Sequence, residues 1–485
     1  MRFQPSIRSL ATLVSATVLA ACGGAVVDDA AEREASSPIA SQDDALLGAT
    51  AGDTDSLNSA GVLRTWNRAG RIDRTNPFFA SLGTNGRSCA SCHVAATGWT
   101  ISPDEVRARF ERTDGLDPIF RTNDGSSSPR ADVSTKEARR LAYDMLVRRG
   151  LLRIGMAMPV GAEFELAAVD DPYGFASASE ISLFRRPLPT TNLEFLTAVM
   201  WDGRETLPGN TIHLDLGDQA NGATRGHAEG AADITAAQRD AIVQFETGLY
   251  TAQLVDWRAG DLRTGGASGG PAALSVAPFF FGINDPFGGN PTGAPFDANA
   301  FGLYQAWGGD GRSSCGAGLR DVPREVREAR EQVARGELLF DTLPIDIQGV
   351  KGINDDLDTP VLRGHCTTCH DTPNIGNHSL AAPLDIGIAH ADRRTTDMPL
   401  YTLRNRATGE SVQVTDPGRA MISGRWKDIG RFKGPVLRGL AARPPYFHDG
   451  SAASLPEVVK FYDERFGLGL APLQKADLVA FLRTL

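Results

Sequence analysis

Cys89-Ala90-Ser91-Cys92-His93 and Cys366-Thr367-Thr368-Cys369-His370 repeat one pattern, C-x-x-C-H, at two distant points of a 485-residue chain. Two thiols one helical turn apart can both form thioethers to the vinyl groups of one haem, and the adjoining histidine then reaches the iron. A zinc site split across the two pairs, or a redox dithiol, accounts for the cysteines but not for a histidine after each pair. The expectation is two covalently bound haem c groups, held by Cys89, Cys92, His93, Cys366, Cys369 and His370. His93 and His370 are the proximal iron ligands.

Outward from these motifs, 49 basic and 59 acidic side chains leave a formal charge of −10, so no basic field exists for nucleic acid. Arg2 and Arg8 precede an apolar run, Leu10 to Ala21, with the form of a signal peptide. About a dozen apolar residues are too few to span a bilayer. The run ends Leu19-Ala20-Ala21-Cys22, which resembles a lipoprotein cleavage site. Localisation is therefore expected in the periplasm or cell envelope, with a membrane anchor by lipid on Cys22. The four motif cysteines and Cys22 leave only Cys315, in a Gly-rich loop, so no intramolecular disulfide is expected.

The expected domains are a signal peptide over 1–21, a lipidated N-terminus and flexible tether over 22–56, an N-terminal haem c domain with insertions over 57–325, and a C-terminal haem c domain over 326–485. Helices are read after the capping sequence Ser102-Pro103-Asp104-Glu105, from Lys136 to Ile154, from Thr235 to Leu254, from near Val322, and over Leu455–Phe466 and Leu473–Leu485. Residues 154–170 read as a small β-hairpin and 257–320 as a long irregular excursion. No βαβ alternation occurs, so the fold class is expected to be mainly α.

Further motifs carry a resemblance. Gly434-Pro435-Val436-Leu437-Arg438-Gly439-Leu440 runs into Pro445-Tyr446-Phe447-His448-Asp449-Gly450, with Asp416-Pro417-Gly418-Arg419-Ala420 upstream. The first half adds Leu188-Pro189-Thr190-Thr191-Asn192 and Trp201-Asp202-Gly203-Arg204. With the paired haem motifs, these resemble the di-haem cytochrome c peroxidase and MauG superfamily over roughly residues 75–485. The resemblance implies two cytochrome c-like domains facing each other, with Trp201 between the haems. Arg204 either pairs a haem propionate or forms an ion pair.

In that family the second haem's axial ligand lies fourteen residues beyond the P-Y-F-H histidine, as Met in the peroxidases and Tyr in the MauG type. Here that residue is Tyr462. It lies on a helical stripe with Leu455, Val458, Val459 and Phe466, which suits a ligand or a core tyrosine equally. Met421 is a substitute that spacing does not single out. Gln219 and Glu229 keep the family's ten-residue separation between a distal Gln and a catalytic Glu, although eight extra residues follow Trp201 and Ala223 stands where a proline is frequent. His227 is an extra histidine: an acid–base group, a cap on the iron, or a surface residue. A calcium ion is common in the family, but the alignable ligand position is Pro187, which has no side-chain oxygen.

The expected function is peroxide reduction at the N-terminal haem, with catalytic Glu229, Gln219, Trp201 and His227. Electrons would come through the C-terminal haem from a small soluble cytochrome c or cupredoxin. The alternatives are a MauG-like oxidase acting on a protein or organic substrate, and a non-catalytic di-haem electron carrier.

Overall fold

A computed structural model describes residues 53–308 and 322–485. The leader, Cys22, Cys315 and most of the 22–56 tether lie outside the described residues. Asp53–Ser56 belong to the strand Asp53–Asn58 rather than to a tether.

The mainly α expectation is corrected: helices take up 31% of the described residues and strands 17%, in several sheets. One antiparallel sheet has the order Asp53–Asn58, Gly61–Asn67, Leu249–Asp256, Gly260–Asp261. Its central strands are buried at nearly every position. Strands buried on both faces lose the polar–apolar alternation that marks a strand in sequence. The helix read over Thr235 to Leu254 accordingly stops at Thr247, and Leu249–Asp256 continue as a strand.

The expected hairpin over 154–170 does not form. Leu152–Met156 pairs with Ile181–Arg185, and Phe164–Asp170 pairs with Leu400–Asn405 from the C-terminal half. The helix read from Lys136 to Ile154 breaks into Lys136–Ala142 and Asp144–Arg149, and ends at Gly150 with φ +63. A left-handed residue cannot continue an α-helix, and glycine adopts that conformation without a Cβ clash.

Other helices form as the sequence indicates. Ser102 Oγ accepts from the Glu105 amide at 3.2 Å and starts Pro103–Thr113. Arg324–Thr342 packs on Pro472–Leu482 through Gly336, where a Cβ would stand 2.0 Å from the Asp477 carbonyl oxygen. Only glycine permits that approach. The halves interlock: the Gln253 amide donates to the Leu485 carbonyl, and Tyr304 Oη donates to the Thr484 carbonyl.

Candidate functional site

Each C-x-x-C-H segment is a single tight turn of helix, Cys89–Ser91 and Cys366–Thr368. The turns are stabilised alike: the Ser88 amide donates to Ser91 Oγ at 2.9 Å, and the His365 amide donates to Thr368 Oγ1 at 2.9 Å. The His93 and His370 amides close the turns on the carbonyls of Cys89 and Cys366. His93 Nδ1 lies 3.0 Å from the Trp99 carbonyl and His370 Nδ1 lies 2.6 Å from the Gly376 carbonyl. A carbonyl only accepts, so Nδ1 carries the proton in both rings and Nε2 is left as the donor to a metal.

Two cavities of similar size, 190 and 230 Å³, lie over these turns. The first is lined by Cys89, Cys92 and His93, the second by Cys366, Cys369 and His370. All four thiols are free, and burial pushes Cys92 to about 11 and Cys366 and Cys369 to about 12. Neutral free thiols beside an imidazole with Nε2 exposed to the cavity fit a covalently attached c-type haem.

Buried cations fit the carboxylates of that group. Lys433 and Arg186 line both cavities and Arg443 lines the second. Among the described residues no carboxylate pairs with them, and Arg443 Nε has no hydrogen-bond partner. Burial therefore lowers Lys433 to about 7, Arg186 to about 9 and Arg443 to about 10. Both nitrogens of the buried His448, on the wall of the second cavity, also lack a hydrogen bond among the described residues, although Asp416 Oδ2 stands 3.8 Å from Nε2. Among the described residues no group of three or more His, Cys, Asp or Glu side chains gathers as a metal site.

The cavities share a wall. Trp201 lines both, and its Nε1 donates to the Arg186 carbonyl at 2.8 Å. Its ring meets His448 edge-on at 6.3 Å. Behind it Arg185 bonds Asp202 through Nη1 at 2.5 Å and Asp416 through Nε at 2.7 Å, all three buried. Arg204 lines the first cavity and holds Asp202 with Nη1 at 3.2 and 3.3 Å.

The helix Ile212–Gly226 turns Leu216, Gln219, Ala220, Ala223 and Thr224 to the first cavity, and His227 follows at its end. Glu229 is not on this wall. Its side chain is exposed and its φ is +55, so the chain has already turned away. The ten-residue spacing from Gln219 survives, but the helix ends at Gly226 and does not carry the carboxylate inward. Two other carboxylates do line the cavity, Asp124 and Glu246. Burial pushes Glu246 to about 7. A charged residue on the apolar face of Ile242, Phe245 and Leu249 was the available sequence signal for Glu246.

The second cavity is more apolar. Leu455, Val458, Val459, Tyr462 and Phe466 line it together from the helix Leu455–Phe466. Burial, then the neighbouring Cys369 and Cys366, pushes the Tyr462 phenol above its usual range. Met421 packs elsewhere, in the apolar cluster with Phe164 and Tyr401, and lines neither cavity.

No family model matches the chain. It is 30% identical over 162 residues to cytochrome-c peroxidase IdrP1 of Pseudomonas sp. (strain SCT), covering 28% of this chain and 42% of that protein. It is 41% identical over 145 residues to IdrP1 of Denitromonas iodatirespirans, covering 25% and 36%. Cytochrome c551 peroxidase of Nitrosomonas europaea is 29% identical over 121 residues, covering 25% and 30%. The chain thus spans less than half the length of each of these relatives. Among solved structures, a MauG-like protein associated with microbial copper homeostasis aligns over 84% of this chain and 85% of its own, at 16% identity and a TM-score of 0.35. The curated matches, all cytochrome-c peroxidases, bear out the sequence resemblance to that family over about a quarter of the chain.

Proposed function

We propose that this chain is a di-haem c-type oxidoreductase that reduces hydrogen peroxide in the cavity of His93, using electrons delivered through the cavity of His370. The observation that carries this reading is the shared wall: each cavity has its own C-x-x-C-H, and Trp201 borders both. A haem attached at each motif would supply one-electron chemistry and, in the first cavity, an iron on which peroxide can bind.

The protein's own residues supply the rest. Cys89, Cys92, Cys366 and Cys369 anchor the two groups, and the carbonyls of Trp99 and Gly376 orient the ligands His93 and His370. Lys433, Arg186, Arg204 and Arg443, on the cavity walls, would hold the haem carboxylates. Gln219 offers a hydrogen bond in the first cavity, His227 holds and moves a proton, and Trp201 is the bridge between the cavities. A small soluble cytochrome c or cupredoxin is the electron donor in this reading. The leader and Cys22 would place the protein in the periplasm or cell envelope, held by lipid.

Tyr462 on the second cavity's wall favours a MauG-like variant, in which a protein or organic molecule is oxidised instead. The test begins with the full haem-loaded chain, half-reduced and then mixed with peroxide. Oxidation of two electron equivalents per peroxide and catalytic oxidation of a reduced small cytochrome are expected. A spectrum that peroxide leaves unchanged overturns the proposal and leaves an electron carrier.

The residues of the first cavity give a second check. Glu229→Gln is expected to leave peroxide turnover within about twofold of wild type, because its side chain is outside the cavity. His227→Gln is expected to lower kcat/KM about 10²-fold, the usual scale for losing a general acid–base group. The reverse ranking in steady-state peroxide assays would return the proton-moving role to Glu229.

A further inference from the structure

The stretch between the helices Pro103–Thr113 and Lys136–Ala142 carries a buried carboxylate, Asp124, to the wall of the first cavity. No motif marks it. We propose that Asp124 is a positioning residue that fixes His227 as the proton-accepting group of this cavity, the two forming an Asp–His dyad. The inference rests on the reading that peroxide chemistry occurs there.

The geometry restrains His227 from two sides. Its ring Nδ1 lies 2.5 Å from Asp124 Oδ2. Its carbonyl accepts from Asn85 Nδ2 at 2.9 Å and from Arg87 Nη1 at 3.0 Å. The same Arg87 Nη1 donates to both Asp124 oxygens, at 2.7 and 2.8 Å. Burial opposes a charge on Asp124, but His227 and Arg87 outweigh burial and keep it ionised.

An ionised carboxylate only accepts hydrogen bonds, so in the neutral His227 ring the proton sits on Nδ1 and Nε2 is the nitrogen with the lone pair. Gln219 has no group that can take a proton at neutral pH, Glu229 is outside the cavity, and Glu246, which burial brings to about 7 on the same wall, is the competing acceptor that the His227→Gln variant tests. A weak acid entering the cavity, hydrogen peroxide or hydrogen cyanide, can therefore lose its proton to Nε2. The H–O or H–C bond breaks, the electron pair stays with the anion, and the imidazolium formed is neutralised by Asp124.

Asp124→Asn preserves size while reversing this logic. Two donors, Arg87 and His227, then compete for a single amide oxygen. Arg87 is permanently charged and keeps it, which turns the amide NH2 toward His227. That group donates to Nδ1 and forces the proton onto Nε2, the wrong tautomer for accepting.

The test uses the haem-loaded full chain and cyanide as the probe, with two readouts. Cyanide association to the ferric protein at pH 7 is expected to slow about 100-fold in Asp124→Asn and equally in His227→Gln. Asp124→Glu should recover most of the loss. In the reduced protein, nitrogen-15 shifts of His227 are expected to show Nδ1–H in wild type and Nε2–H in Asp124→Asn. Wild-type cyanide kinetics and tautomer in Asp124→Asn, with slow binding in His227→Gln, would overturn the dyad and leave His227 in its role. Unchanged cyanide binding in both variants would overturn the role of His227, and the dyad with it.

Discussion

Replacing Arg185 by leucine is expected to destabilise the folded chain by about 3–5 kcal/mol, the usual cost of removing one partner from a buried ion pair. Arg185 is held between Asp202 and Asp416, and the three side chains are exposed by 3%, 0% and 1%. Burial raises the pKa of both carboxylates, but Arg185 outweighs it and holds each below its usual range, with Arg204 assisting at Asp202. Without Arg185, two buried carboxylates remain, Asp416 without a guanidinium and Asp202 with only Arg204, and burial drives them toward taking protons. Wild-type stability from these groups is present above the ordinary carboxylate range and is lost as pH falls through their depressed values. In the variant the sign reverses, because protonation now relieves the buried charge. The deficit should therefore be larger at pH 7 than at pH 5. Denaturant midpoints at the two pH values would show this. An exposed pair provides the contrast: Arg148→Ala, which loses contact with Asp144 and Asp397, should cost no more than about 1 kcal/mol. A loss of that small size for Arg185→Leu would show that water or a relaxed backbone takes over the guanidinium's contacts.

The triad also explains why separated motifs converge. Asp202 belongs to the Trp201-Asp202-Gly203-Arg204 segment, and Asp416 opens the Asp416-Pro417-Gly418-Arg419 segment. Arg185 ties both to the end of the strand Ile181–Arg185. Arg419 Nη1 adds bonds to the carbonyls of Asp202 and Gly203. Trp201 is thus fixed at the shared wall by a buried triad whose Arg185 itself borders the first cavity.

What was legible in the sequence is what local spacing controls. The two C-x-x-C-H segments take the same turn because a hydroxyl before the second cysteine, Ser91 or Thr368, accepts from the amide three residues back, and both histidines find a carbonyl six residues on. The stripe ending at Tyr462 was legible because helical periodicity is local as well. The strands were not, since Leu249–Asp256 is buried on both faces and Phe164–Asp170 finds its partner in the other half of the chain. At Glu229 spacing and packing part company: the count from Gln219 is preserved, but the helix ends at Gly226 and the side chain is exposed. Asp124 had no sequence signal at all, because its link to His227 is set by the packing of a distant segment.

Tyr462→Phe is expected to raise the reduction potential of a haem held in the second cavity by about 100 mV or more and to change its ferric spectrum. Tyr462 shares that cavity with His370, and Met421 lies outside it, so no methionine at that position can replace the phenol. Burial and the adjacent cysteines raise the phenol's pKa, so without a metal it stays protonated at neutral pH. A ferric centre held there would reverse this preference: Tyr462 as its ligand would give up the proton, and a phenolate would favour the higher oxidation state. Each tenfold of that preference shifts a one-electron potential by about 59 mV, so a hundredfold preference accounts for the expected change. Phenylalanine keeps the ring that stacks on Phe466 at 6.2 Å, so packing is retained while the oxygen is lost. Redox titration followed optically, with EPR of the ferric protein, separates the two roles. An unchanged potential and spectrum would make Tyr462 a core tyrosine, and the second cavity would then deliver electrons with histidine as its only identified axial ligand.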